Sequence, residues 1–279
     1  MMTATNSISG AGDGRSAGAG SMTAAAQSGR RAVLQFVRTP QILMLGTVQG
    51  ALFLFMFRYI FGGAIHPPGG LDYVDYVVPG FLVTGILWLG MAAAPGVAED
   101  ATTGVHDRLR SLPIPRSSVM VGRSLAATAL TLWGVFVSGV VGFIIGFRPD
   151  ADVASIALAL ALLVLATYSF TWVFIAVGLT SGSAQAAQGT ATLLTIPLAF
   201  VSAAYVPAET LPGWMQPIAD NQPLTILSNA VRALTLGGAD TVGLGHSTGY
   251  WVALSVIWCA AILVVFGAIA VARFARPTN

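Results

Sequence analysis

"VASIALALALLVLATYSFTWVFIAVGLTSGSAQAAQGTATLLTIPLAFVSAAYVPA" runs from Val153 to Ala208 without one charged side chain. A membrane-spanning helix takes about 20 apolar residues, so this stretch is too long for one such helix and too short for three. Its one polar interruption is "TSGSAQAAQG", Thr180 to Gly189. That predicts two spans, near Ser155–Leu179 and Thr190–Tyr205, joined by a polar turn.

The rest of the chain repeats the pattern. Apolar blocks at Gln41–Phe61, Tyr76–Ala98 and Ser124–Phe147 come before it, and Tyr250–Ala272 follows. Over 279 residues the chain is 55% hydrophobic and 9% charged, against about 25% charged in a soluble domain. So few charges cannot cover the surface of a soluble protein of this length. The blocks also lack the alternation of barrel strands. The expected fold class is all-α: a polytopic membrane protein of six spans occupying residues 30–279. Residues 1–29, rich in Gly, Ala and Ser with no apolar core, are expected to be a disordered tail. They do not read as a signal peptide, because no apolar region follows a basic start, and Met22 stands as an alternative start.

Arginine orients the spans. With the N-terminus inside, the inner side holds Arg15, Arg30, Arg31, Arg38, Arg108, Arg110, Arg116, Arg123, Arg273 and Arg276. The outer side keeps Arg148 and Arg232, with Arg58 near the outer end of the first span. Tyr59, Tyr73, Tyr76, Trp214 and Trp251 then fall near the outer interface as an aromatic belt. This reading places the protein in the plasma (inner) membrane with both termini in the cytoplasm.

Composition also excludes functions. All thirteen basic residues are Arg, and a phosphate-binding P-loop needs a Lys, so the chain is no self-sufficient ATPase of that type. The single Cys, Cys259, excludes an intrachain disulfide and a Cys-based metal cluster. His66, His106 and His246 lie far apart without ligand spacing. A net charge of +2 gives no argument for nucleic acid. Asp and Glu are absent from all six proposed spans, against what an ion-driven secondary transporter needs. No nucleophile–base pair points to an intramembrane enzyme.

"EDATTGVHDRLRSLPIPR", Glu99 to Arg116, holds six of the 24 charged residues. Within it Val105, Leu109 and Leu112 recur at helical spacing, and Pro113 and Pro115 stop the helix. Such a short amphipathic helix suits either a groove on a partner or the inner leaflet with snorkelling Arg. "GRRAVLQFVRTP", Gly29 to Pro40, reads as an interfacial helix or as an Arg-rich flank. Gln49 sits mid-span between Gly46 and Gly50, where small residues allow close helix approach; it fits a seam or substrate path, or ordinary packing. Gly142 and Gly146 are assigned to packing. Phe53, Phe57, Trp88, Met91 and Phe200 line an apolar pocket or face lipid. Arg58 snorkels to the outer interface, or pairs with Asp72 or Asp75. Leu224, Leu227, Val231 and Leu234 mark a helix before the last span, either re-entrant or lying on the outer leaflet.

The set Glu99, Gly104, Leu109, Arg110, Leu112, Pro113 and Arg116 resembles the first cytoplasmic loop of type-2 ATP-binding cassette export permeases, above all the daunorubicin-resistance group. "RTPQI" with "FRYIFGGAI" (Arg38–Ile42, Phe57–Ile65), "LPGWMQPIADNQPLT" (Leu211–Thr225) and "NAVRAL" (Asn229–Leu234) are similar to further segments of that group, in the same order. The resemblance implies a permease half without its own ATPase, exporting a hydrophobic or amphipathic small molecule such as a drug, antibiotic or lipid. It implies two nucleotide-binding subunits as partners, which bind ATP and Mg, and a second permease half, the same chain or a related one. It makes the loop after the second span a coupling helix, with Glu99, Gly104, Val105, Leu109, Arg110 and Leu112 facing the ATPase. The N-terminal helix becomes an elbow helix, and the segment before the last span becomes outer re-entrant helices. A polysaccharide or teichoic-acid export permease of the same superfamily is the alternative.

Overall fold

The computed structural model describes residues 50–102 and 116–275. The expected tail, the elbow helix, Gln49 and the stripe Val105–Leu112 lie outside the described residues. Among the described residues every regular element is helical. In chain order they are α1 (Gly50–Phe61), α2 (Tyr73–Gly90), α3 (Ala93–Thr102), α4 (Arg116–Ile144), α5 (Val153–Thr180), α6 (Ala184–Phe200), α7 (Gln216–Asn221), α8 (Pro223–Thr235) and α9 (Thr248–Ala275).

Four segments are long and apolar enough to cross a membrane: Tyr73–Ala101, Met120–Ile144, Val153–Thr180 and Thr248–Phe274. They correspond to the expected second, third, fourth and sixth spans. Of the other two expected spans, the first is described only from Gly50, as the apolar helix Gly50–Phe61, and the fifth is α6. α6 has 17 residues, about 25 Å at 1.5 Å per residue, the low end of a spanning length.

The fifth span is displaced from its expected limits at both ends. The Ser183 hydroxyl accepts the Ala186 N–H at 3.1 Å, an N-cap that recruits the polar stretch 184–189 into the helix. At the other end α6 stops at Phe200, and beyond it the carbonyls of Ala203, Ala204 and Tyr205 accept side-chain donors from elsewhere. α4 likewise starts at Arg116, eight residues before the expected Ser124. The second span breaks after Gly90 and resumes as α3, carrying Glu99 and Asp100 on its last turn.

Small residues set the packing. A Cβ on Gly178 of α5 would lie 2.5 Å from the Ala94 carbonyl of α3. Gly134 and Gly142 of α4 receive Leu89 and Val78 of α2, at 2.4 and 2.7 Å from a would-be Cβ. Without a hydrophobic drive between helices in lipid, such backbone approach is what supplies dispersion contacts. Gly146, expected to pack beside Gly142, has no neighbour within 4 Å of its would-be Cβ. Its φ of 115° makes it a turn glycine instead, at the end of α4.

Helix ends sort into two layers. At one, the Arg148 N–H donates to Asp75 at 3.4 Å, the Asp150 N–H to the Thr235 carbonyl at 2.9 Å and the Ala239 N–H to the Thr248 hydroxyl at 3.0 Å. At the other, Asp100 and Arg123 form a salt bridge. No salt bridge joins Arg58 to Asp72 or Asp75 among the described residues.

Within the segment between α6 and α9, α8 does not lie on the surface. Leu224, Leu227, Val231 and Leu234 are at most 3% exposed, and every residue of α8 from Leu224 to Leu234 is buried. The helix enters the bundle against α2, α5 and α9 and the chain returns to the layer it left. The re-entrant arrangement is the one found. Apolar, backbone-rich structure at this depth is tolerated where protein encloses it.

Candidate functional site

α1, α2 and α6 enclose a cavity of about 170 Å³, with Ser138 of α4 on one side. The helical spacing of Phe53 and Phe57 on α1 directs both rings inward, and Phe81, Gly85, Trp88 and Leu89 face them from α2. Gly50, Met91, Phe200 and Tyr205 complete the lining. The structure therefore brings Phe53, Phe57, Trp88, Met91 and Phe200 to one place. Gln49 lies outside the described residues. Two of these rings remain part-open at the edge of the chain, Phe53 at 38% and Phe200 at 54% exposed.

Tyr205, Phe81 and Thr84 were not singled out in the sequence, and Tyr205 is the hub. Its ring stacks on Phe57 at 4.9 Å between centroids with a 9° interplanar angle. Phe81 and Phe200 lie 6.3 and 5.9 Å away, and Trp88 meets Phe200 edge-on at 6.4 Å. The Tyr205 hydroxyl donates to Thr84 Oγ1 at 2.7 Å and accepts from Trp88 Nε1 at 3.2 Å. The wall is thus aromatic, with one internally satisfied polar spot, the composition suited to an apolar or amphipathic ligand. The sequence signal for Tyr205 was weak: a Tyr at the expected end of a span reads as an interface residue.

Arg232 is a second departure. The arginine asymmetry counts it on the outer side and says nothing of burial, yet it is 0% exposed. Its Nε donates to the Tyr76 carbonyl at 2.9 Å and its Nη1 to Asn229 Oδ1 at 3.0 Å. Its Nη2 reaches the carbonyls of Ala203 and Ala204 at 2.9 and 2.7 Å. The guanidinium lies 3.6 Å from the centroid of the Tyr76 ring. Burying a cation is costly unless its polar groups find partners, and here three backbone carbonyls, the Asn229 side chain and a π-face supply them.

At the opposite layer, Glu99 is exposed on the last turn of α3. Gly104, Val105, Leu109, Arg110 and Leu112 lie outside the described residues. The described flanks of that loop are tied together by the Asp100–Arg123 pair, with Arg123 lying over Gly96, whose would-be Cβ is 3.2 Å from its guanidinium. No group of three His, Cys, Asp or Glu side chains converges for a metal among the described residues.

A helical bundle with spanning apolar helices, a buried re-entrant helix and an aromatic cavity at its edge defines a polytopic membrane transport protein. The family follows from comparison: the ABC-2 type transporter family model matches residues 25–236, and the chain belongs to that family. It is 28% identical over 237 residues to the daunorubicin resistance ABC transporter permease protein DrrB1 of Streptomyces coeruleorubidus, covering 85% of this chain and 80% of that protein. It is 24% identical over 221 residues to the probable doxorubicin resistance ABC transporter permease protein DrrC of Mycobacterium tuberculosis, covering 77% and 74%. The chain is a type-2 ABC permease of this resistance group, a membrane component of a kind that is generally non-catalytic.

Proposed function

We propose that this chain is the permease subunit of an ATP-driven exporter in the plasma membrane, moving hydrophobic or amphipathic small molecules out of the cell. The observation that carries the reading is the cavity of Phe53, Phe57, Trp88, Met91, Phe200 and Tyr205. The resistance functions in the relatives' names favour a drug or antibiotic over a polysaccharide. Pockets for drug-sized ligands measure roughly 300–1,000 Å³, so a cavity of about 170 Å³ holds such a molecule only together with space beyond the chain's edge. The part-exposed rings of Phe53 and Phe200 supply a surface for that. A second permease half, a copy or a related chain, would complete the chamber.

ATP and Mg would act in separate nucleotide-binding subunits docked on the cytoplasmic side. Glu99, Gly104, Val105, Leu109, Arg110 and Leu112 would carry the coupling contact, with the apolar stripe in a groove and Glu99 and Arg110 at its rim. ATP loading that favours one of two permease states would move the substrate.

The test is a paired substitution in the permease–ATPase complex, using doxorubicin, the drug in one relative's name. Trp88→Ala and Phe200→Ala should each raise the doxorubicin concentration giving half-maximal transport, at matched membrane levels. Val264→Ala, on a residue 69% exposed on α9, should not. Equal kinetics in all three would remove the cavity from the substrate path.

A further inference from the structure

Seven residues after α6, Val201 to Pro207, cross the interior without regular helix. Ser202, Ala203, Ala204 and Tyr205 are at most 5% exposed. Carbonyls buried in this way must find donors. Three consecutive ones find them in side chains of other elements. The Ala203 carbonyl accepts from the Tyr76 hydroxyl at 2.7 Å and from Arg232 at 2.9 Å. The Ala204 carbonyl accepts from Arg232 at 2.7 Å, and the Tyr205 carbonyl accepts from the Tyr73 hydroxyl at 2.9 Å. From the other side, the Thr225 hydroxyl of α8 accepts the Ala203 N–H at 3.0 Å.

Arg232 is the member that joins three elements. It stands on α8, holds the Tyr76 carbonyl of α2 through Nε and grips the unwound segment through Nη2. Only a planar fork can address carbonyls on two elements at once while its face rests on an aromatic ring. Gly80 keeps the seat open on the α2 side, since a Cβ there would lie 1.9 Å from the Ala204 carbonyl oxygen and 2.8 Å from Nη2. The next residue in the clamped backbone is Tyr205, whose ring and hydroxyl form the cavity wall against Phe57, Thr84 and Trp88.

We propose that Arg232 is a positioning residue for transport: its guanidinium clamps the unwound segment 201–206 to α2 and thereby fixes Tyr205 as the end wall of the cavity. The consequence for substrate passage rests on the reading of the cavity above; the clamp does not. A wall held by side-chain donors to an irregular backbone can part without unwinding a helix, and Arg232 sets how tightly it stays shut.

Water access to a cysteine in the segment tests this without any substrate. In full-length protein in native membranes, Cys259→Ala removes the one natural thiol, and Ser202→Cys places a near-isosteric reporter at a site 3% exposed. The reactive species is the thiolate, so the rate of labelling by N-ethylmaleimide follows water entry. Ser255→Cys, on a residue of α9 with 0% exposure, is the reference. Arg232→Gln should raise the rate at Ser202→Cys at least tenfold, a shift of about 1.4 kcal/mol in the opening equilibrium, and leave Ser255→Cys protected. Arg232→Lys keeps the charge without the fork and should fall between. Tyr76→Phe removes one donor from the Ala203 carbonyl, keeps the ring beneath the guanidinium, and should raise the rate about two- to tenfold. Protection of Ser202→Cys that survives Arg232→Gln overturns the clamp. So does equal exposure of both reporters, which would mean a general loss of fold, and so does full protection by Arg232→Lys, which would make charge rather than the fork the cause.

Discussion

Gly80→Ala should be among the most damaging single-methyl additions to this protein. The new Cβ would lie 1.9 Å from the Ala204 carbonyl oxygen and 2.7 Å from its carbon. Real Cβ contacts stay beyond about 3 Å, so the segment must retreat by more than 1 Å. That retreat stretches the 2.7 Å bond from Arg232 to the Ala204 carbonyl past hydrogen-bonding range. Overpacking costs about 1–3 kcal/mol and a hydrogen bond to a charged group about 1.5–3 kcal/mol, so the sum is about 2.5–6 kcal/mol. At roughly 2 °C per kcal/mol for a chain of this size, the melting temperature in detergent should fall by roughly 5–12 °C. Gly85→Ala on the same helix is the control. Nothing lies within 4 Å of its would-be Cβ, and replacing Gly by Ala inside a helix contributes about 0.5–1 kcal/mol of stability. Both variants would be followed by thermal melting of the purified protein with fluorescence-detected size exclusion. A Gly80→Ala protein that melts with the wild type, or below which Gly85→Ala falls, would refute the close approach of segment 201–206 to α2.

Three further outcomes are expected. Leu109→Asp should keep normal membrane levels but lose ATPase copurification by roughly ten- to a hundredfold, since burying one Leu contributes about 1.5–3 kcal/mol; Arg108→Ala, off the stripe, should do much less, and pull-down from matched membranes decides it. Asp72→Cys should react with an impermeant thiol reagent in intact cells, and labelling only after permeabilisation would reverse the proposed orientation. Gly142→Ala should destabilise by crowding Val78, 2.7 Å from the new Cβ, whereas Gly146→Ala should destabilise only through backbone strain at φ 115°, so a Val78→Ala second change should rescue the first and not the second.

The sequence carried the helical class because charge-free runs of spanning length have few other outcomes. It also offered the candidate cavity lining as aromatics and a methionine within apolar blocks, of which only Phe53 and Phe57, one helical turn apart, are related by spacing. It could not say that these rings converge rather than face lipid, because a lipid-facing and a cavity-facing aromatic have the same neighbours in the chain. Ser183 reads in the sequence as part of a polar turn, and only the structure shows it in a capping position. The burial of Arg232 is illegible for a related reason. A rule that counts positive charge in loops assumes solvent around the charge, and three backbone carbonyls with a tyrosine ring took the place of solvent. Two of those carbonyls, of Ala203 and Ala204, are open to Arg232 because α6 ends at Phe200, five residues before the expected end of the span. Tyr205 was hidden by the same early ending.

Under the proposed function this chain provides the path while a separate ATPase provides the drive. The direct measurement is doxorubicin accumulation in sealed inside-out vesicles containing the permease with and without its nucleotide-binding subunit, given ATP and Mg or an imposed proton gradient. Accumulation only with both subunits and hydrolysable ATP is the predicted result. Accumulation by the permease alone, driven by the proton gradient, would contradict it.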